Sequence, residues 1–322
     1  MYPELFHIPF TNIAVHSYGL MLVIGLLLAM ELSKFLARRS GLNDEHFATA
    51  AILALVSGLI GARIFFVLQM WHKEFNGGPL GKELFDAVNI TSGGLVYYGG
   101  FLVAIPTLIG YAIWKKIPIL RGMDIVAPCV MIGLGFGRIG CFLNGCCEGA
   151  HCELPPPLTV TFPYHSNPYI TQVDTHQLRP NPALLHYDPI RDTDRLMTPE
   201  EIKQQADLVK VAASERSLPV IDTQLMSTIT ALMIAGICVC YFSLGGAPGR
   251  AWALMMMLEG PTRALLEGMR VEPLFIGRMT LSMFIGIMLA IVGAVMWFVC
   301  GWLARNQSQG DAEPVGAMPA HT

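Results

Sequence analysis

Long uninterrupted apolar runs dominate the hydropathy pattern of this chain. They fall at about 17–37, 47–70, 94–114, 123–144, 225–244, 251–268 and 280–303. Each is near the length, about 20 residues, that an α-helix needs to cross a hydrocarbon core. The pattern therefore predicts an all-α, polytopic membrane protein with about seven transmembrane helices. Helices one to four occupy 1–144, a polar insertion 145–224, helices five to seven 225–303, and a tail 304–322. The insertion is proline-rich and weakly periodic, and reads as an extracytoplasmic cap or a flexible insertion. Inside it, Thr198-Pro199-Glu200-Glu201 reads as a helix start, with Thr198 as N-cap and Pro199 at the first helical position, running into IKQQADLVKVAA. The tail from Asn306 is rich in small polar residues and is expected to be disordered.

Basic residues orient the spans. One set of short loops carries Lys34, Arg38, Arg39, Lys115, Lys116, Arg121, Arg250 and Arg305; the opposite set carries Lys73, Lys82, Arg270 and Arg278. The positive-inside rule then places the N-terminus outside and the C-terminus in the cytoplasm. The segment before the first run, MYPELFHIPFTNIAVHS, has no basic region and so does not read as a cleaved signal peptide. Composition agrees with a membrane protein: 53% of the 322 residues are hydrophobic and 14% charged, against about 25% charged in soluble domains. That balance excludes a large soluble core. The net charge of −3 adds little.

Three arginines break the apolar runs: Arg63, Arg138 and Arg263. A charge at mid-membrane costs roughly 2.5–3.5 kcal/mol on insertion scales, so three require a reason. A shared anionic partner supplies one, and the commonest anion in a membrane is a phospholipid headgroup. Arginine suits phosphate because its planar fork donates two parallel hydrogen bonds.

Arg138 lies in a glycine-dense segment, 133–149, that opens near Asn144 and reads as a glycine-lined site. It is not a dinucleotide fingerprint, since no strand precedes it and the third glycine of the motif is missing. Arg263 sits in a ladder with Glu259 and Glu267 at four-residue spacing, followed by Arg270. The ladder reads either as self-neutralising or as acids holding Arg263 toward a site. A third constellation, Ser92 to Gly100, places Tyr97 and Tyr98 before Gly99 and Gly100, where backbone can approach a ligand. Tyr18 and Tyr98 read either as headgroup contacts or as an interfacial aromatic belt.

Eight cysteines are present, four of them spaced C-x4-CC-x4-C at Cys141, Cys146, Cys147 and Cys152. No second knuckle follows, so no metal is expected, and tight helix packing is the preferred reading. A disulfide to Cys152 stays open.

The segments HSYGLM (16–21), IGARIFF (60–66), SGGLVYYGG (92–100), GRIGCFLNGCCEG (137–149), TQLM (223–226) and RALLEGMR (263–270) occur in this order along the chain, with LSM (281–283) as a weaker addition. Together they resemble the prolipoprotein diacylglyceryl transferases, over nearly the whole chain except 150–218 and the tail. The resemblance implies a multi-pass enzyme of the bacterial cytoplasmic (inner) membrane. It would move the diacylglyceryl group of phosphatidylglycerol to the lipobox cysteine thiol of preprolipoproteins, forming a thioether and releasing glycerol phosphate. No metal, nucleotide cofactor or nucleic acid is implied. Its partners would be phosphatidylglycerol, lipobox-bearing signal peptides and the surrounding membrane lipids.

By resemblance Arg138 is the arginine that meets phosphatidylglycerol, Asn144 and Gly149 are further signature positions, Arg263 and Glu267 form a second important pair, and Tyr18 is an essential tyrosine. The candidate catalytic set is thus Arg138, Arg263, Asn144, Glu267 and Tyr98. The candidate lipid-binding set is Arg138, Arg263, Tyr18, Arg63, Gly149, Gly99 and Gly100. The chain departs from the family pattern in places. Histidine is common where Tyr98 stands, an acid where Cys146 stands, asparagine where Cys141 stands, and His-Pro where Ile221-Asp222 precedes TQL. Two rival readings use the same arginines: a non-catalytic lipid-binding paralogue, and an anion transporter, although no internal repeat is visible.

Overall fold

The computed structural model describes residues 4–7, 14–74, 85, 87–88, 94, 96–188, 193–270 and 279–310. A short antiparallel pair, β1 (Glu4–His7) and β2 (Ala14–His16), precedes the first helix. Nothing in the hydropathy pattern announced it. Then come α1 (Ser17–Arg39), α2 (Asp44–Glu74), α3 (Tyr97–Trp114) and α4 (Ile119–Asn144). The insertion holds β3 (Thr159–Val160), α5 (Asn167–Asp174), β4 (Leu185–Asp188), β5 (Thr193–Leu196), α6 (Pro199–Lys203), α7 (Ala206–Ser214) and β6 (Val220–Ile221). Three helices complete the chain: α8 (Thr223–Ser243), α9 (Arg250–Glu267) and α10 (Leu281–Gly310).

Every apolar run is helical, with boundaries within a few residues of expectation. Among the described residues five helices, α1, α2, α4, α8 and α10, are long and apolar enough to cross a membrane. The apolar part of α3 is shorter, Gly99–Trp114. Helix α9 carries Arg250, Glu259, Arg263 and Glu267 within its 18 residues. Large apolar side chains such as Leu27, Leu59, Val295 and Phe298 are exposed along α1, α2 and α10. Bare apolar faces on so many helices are at home in lipid rather than water. The chain is a largely helical, multi-pass membrane protein.

Helix α4 is the hub, packing on α1, α8 and α9, while α2 pairs with α3 and α9 with α10. One core joins Ala127 and Met131 to Ile234, Ala235, Cys238, Met255 and Met256. A second, toward the other end, joins Leu36, Phe47, Ile125, Phe242 and Ala251. Asp124, next to Ile125 of the second core, is only 1% exposed. Its carboxylate accepts from the Gly249 N–H at 2.7 Å and the Trp252 N–H at 3.1 Å. A side chain of one helix thus caps the start of another, α9, satisfying donors that have no partner within their own helix.

The capping box at Thr198 forms as expected: its hydroxyl accepts from the Glu201 N–H at 3.3 Å, and Glu201 accepts from the Thr198 N–H at 2.7 Å. The helix it starts is shorter than the sequence suggested. It breaks at Gln205, which is extended, and α7 begins anew. No proline or glycine marks that break, so it is a tertiary choice. Helix α10 continues to Gly310, past the boundary set for the tail, and residues 311–322 lie outside the described residues.

Candidate functional site

A narrow polar cleft opens where α4, α8 and α9 meet. Its walls are Arg138 from α4; Thr223, Ser227 and Thr230 from α8; Glu259, Arg263, Leu266 and Glu267 from α9; and Arg270 just beyond. The α9 residues recur every four positions, so Glu259, Arg263 and Glu267 share one helix face. The three α8 hydroxyls share a face for the same reason. Three arginines against two glutamates leave the lining one positive charge in excess.

These charges are not equally partnered. Glu267 is 5% exposed and accepts from Arg270 Nη1 at 3.3 Å. Arg138 and Arg263, by contrast, make no hydrogen bond and no ion pair among the described residues. Glu259 is near enough to act electrostatically on both, without contact. The ladder of α9 therefore does not neutralise itself. Its middle rung, Arg263, faces the cleft with its donors unspent, opposite a second guanidinium from another helix. The two guanidiniums carry ten N–H donors between them, in a planar fork geometry that suits anionic oxygens.

Tyr18, in the first turn of α1, lies against α4: a Cβ on Gly140 would sit 2.9 Å from its ring. It acts electrostatically with Arg138 and with Cys141, Cys146 and Cys147. Asn144 is the last residue of α4, exposed, with its side chain hydrogen-bonded to Cys146. Gly149 is buried in the neck of the insertion, and its N–H donates to the Ile221 carbonyl at 3.0 Å. A Cβ at Gly149 would meet Ile221 Cβ at 2.7 Å and Ile221 O at 2.8 Å. Glycine is required there by the backbone's close approach, without reference to a ligand.

Other expected members lie elsewhere. Arg63 is not among the cleft-lining residues. It is 6% exposed, donates to the carbonyls of Ala87 at 2.8 Å and Gly94 at 3.0 Å, and stacks over Phe66. Gly99 and Gly100 pack helix α3 onto α2. A Cβ on Gly100 would lie 2.8 Å from the Gly58 carbonyl, and one on Gly99 would lie 2.7 Å from that of Gly61. This is the close backbone approach that small residues permit between membrane helices. The Tyr97 and Tyr98 side chains lie outside the described residues. Glu259 was read only as part of the ladder, and the α8 hydroxyls were missed; their i, i+4, i+7 recurrence on an apolar helix was the available signal.

The neck ties the cleft to the insertion. Ile221 N–H donates to Ala150 O at 3.1 Å, Thr223 Oγ1 to Cys147 O at 3.0 Å, and Gln224 Nε2 to Cys146 O at 3.0 Å. All eight cysteines are free, Cys152 included. The sulfurs of Cys141, Cys146 and Cys147 lie within 4.8 Å of one another. Cys147 is held below the ordinary thiol range by hydrogen bonds from Cys141 and Cys146, with Arg270 and Arg138 adding to the effect.

A family model described as prolipoprotein diacylglyceryl transferase matches residues 3–299. Relatives named phosphatidylglycerol–prolipoprotein diacylglyceryl transferase include one from Clostridium tetani, 24% identical over 294 residues, covering 91% of this chain and 95% of the relative. One from Parasynechococcus marenigrum is 26% identical over 313 residues, covering 95% of each. One from Rhodopirellula baltica is 37% identical over 168 residues, covering 52% of this chain but 34% of that longer relative.

Proposed function

The chain belongs to the prolipoprotein diacylglyceryl transferase family, and on that premise we propose that it transfers the diacylglyceryl group of phosphatidylglycerol to the lipobox cysteine of preprolipoproteins. The observation that carries this reading is the pair Arg138 and Arg263, from separate helices, lining one cleft without an ion-pair partner among the described residues. They are the phosphate clamp. The acceptor sulfur attacks the glyceryl carbon that bears the phosphate ester. The carbon–oxygen bond breaks, its electron pair stays on oxygen, and glycerol phosphate leaves as a thioether forms. Charge grows on that oxygen in the transition state, and fixed guanidiniums there stabilise it most.

The acceptor reacts as thiolate, so its proton must be taken up. Tyr98 is the candidate that the sequence offers, taking the proton as tyrosinate. Tyr18 and Asn144 border the site, and Glu267 positions Arg270 through their ion pair. Of the α8 hydroxyls lining the cleft, Thr223 and Thr230 donate to backbone carbonyls, which leaves Ser227 as the candidate donor to the polar headgroup.

The arrangement in the membrane follows the same reading. Seven helices span, the N-terminus is outside, the C-terminus and the tail 304–322 are cytoplasmic, and the insertion 145–224 is extracytoplasmic. The membrane is the bacterial cytoplasmic one. Family membership favours neither the transporter nor the inactive lipid binder.

The test is transfer from phosphatidylglycerol to a lipobox peptide by the purified protein, read as a mass shift on the peptide cysteine. A gain of one diacylglyceryl group, lost when the acceptor cysteine is replaced by serine, is expected. No shift from folded protein overturns the proposal.

A further inference from the structure

The three thiols at the end of α4 have no part in the transfer described above. Cys141 is three residues before the helix end, and Cys146 and Cys147 follow it. The chain turns back there through Gly145, in the left-handed region, and Cys147 is itself at φ 65°. The Cys146 N–H donates to the Cys141 carbonyl at 3.1 Å, closing the turn. That turn folds the two later sulfurs over the earlier one, so that all three lie within 4.8 Å of one another.

The geometry points to a trithiolate site for a soft d10 cation, with Cys141, Cys146 and Cys147 as its ligands. With a metal–sulfur distance of about 2.3 Å, three sulfurs around one ion sit about 3.8–4.0 Å apart. The observed spacing reaches that with sub-ångström adjustment of rotamers. Thiolates select soft ions over calcium, magnesium or manganese. Three of them complete the coordination of Cu(I); Zn(II) would add a fourth, lighter ligand such as water.

The surroundings suit an anionic complex. Arg138 and Arg270 both act electrostatically on Cys147. The adjoining wall holds Gln224, fully buried, whose Nε2 donates to the Cys146 carbonyl. Binding releases the remaining thiol protons to solvent and moves no electrons, so no oxidant is needed. The linear spacing of the cysteines lacked a second knuckle and gave no hint of the site. It is made by the helix ending, which brings positions five and six residues apart together.

The experiment uses the full-length protein, reduced and metal-free, loaded in separate arms with Cu(I) and Zn(II). Binding is measured by competition with a chromophoric chelator, and coordination by X-ray absorption at the metal edge. One ion per chain with three sulfur scatterers is expected, in the Zn(II) arm with one oxygen or nitrogen added. Serine at Cys141, Cys146 or Cys147 should remove that ion, while Cys152→Ser should retain it. Fewer than three sulfurs on the loaded wild type, or an ion lost with Cys152→Ser instead, overturns the site. The sulfur count on unmodified protein decides even where a serine variant fails to fold. Neither readout depends on transferase activity, so the two proposals fail separately.

Discussion

Arg63 and Arg138 are both arginines in apolar helices, yet they solve the problem of a buried charge in opposite ways. Arg63 spends its donors inside the protein, on the carbonyls of Ala87 and Gly94, with Phe66 beneath it. Arg138, like Arg263, faces a cleft and spends none among the described residues. A membrane charge satisfied by backbone is a fastening. One left with open donors beside a second like charge is what we propose as the phosphate clamp. Sequence alone placed both among the lipid-binding candidates, because the partners of Arg63 come from a segment more than 20 residues away.

Substitutions can break this distinction, beginning with the largest effect. Arg138→Ala should lower transfer by about 10²–10³-fold, as removal of a preorganised donor does, without changing the thermal midpoint in detergent. Lysine there should recover only part of the rate, having lost the planar fork. A rate near wild type for the alanine variant, in the peptide mass-shift assay, would sink the clamp.

Arg63→Ala should do the reverse. It strands two half-buried carbonyls, each hydrogen bond worth about 1.5–3 kcal/mol with a charged donor. Its loss of stability should therefore exceed its loss of rate per folded molecule, measured by thermal unfolding alongside activity.

Asp124 belongs with Arg63, being a buried charge fully engaged by backbone. Asp124→Ala should cost about 1–2 kcal/mol, the scale of a lost helix cap, with amide exchange of Gly249 and Trp252 speeding up first.

The smallest effect is at the exposed pair of the insertion. Hydrogen bonds from Arg195 chiefly, then from Thr198, hold Glu201 down from 4.5 to about 2. A depressed carboxylate stabilises above its unfolded value and loses that contribution as pH falls through its folded one. Protection of the Thr198 and Glu201 amides should thus be steady above about pH 4.5 and fall toward pH 2, and Glu201→Gln should flatten the profile.

Most of the fold was legible because lipid imposes a simple rule: a run of about 20 apolar residues is a helix. The Thr198 capping box followed from local signals, whereas the break at Gln205 and the overrun of α10 to Gly310 did not. The site was legible only in part. Arg138, Arg263 and Glu267 stood out as charges in apolar text, and they do line one cleft. The hydroxyls of α8 did not stand out, since threonine and serine are common in membrane helices. Gly99, Gly100 and Gly149 were visible as glycines but not for their reason, which is the passage of one backbone over another. The trithiolate cluster depended on how a helix ends, a matter of three dihedral angles that spacing does not encode.

The neck of the insertion has a consequence for how such a chain can change over generations. Residues 149–152 leave the bundle beside 219–221, held by His151 against Val220 and by the Gly149, Cys152 and Ile221 amides. Entry and exit are adjacent, so everything from 153 to 218 is a closed excursion. Such a segment behaves as a cassette. It can lengthen, shorten or be exchanged for another module without re-threading a single helix, while Gly149 keeps the doorway fixed.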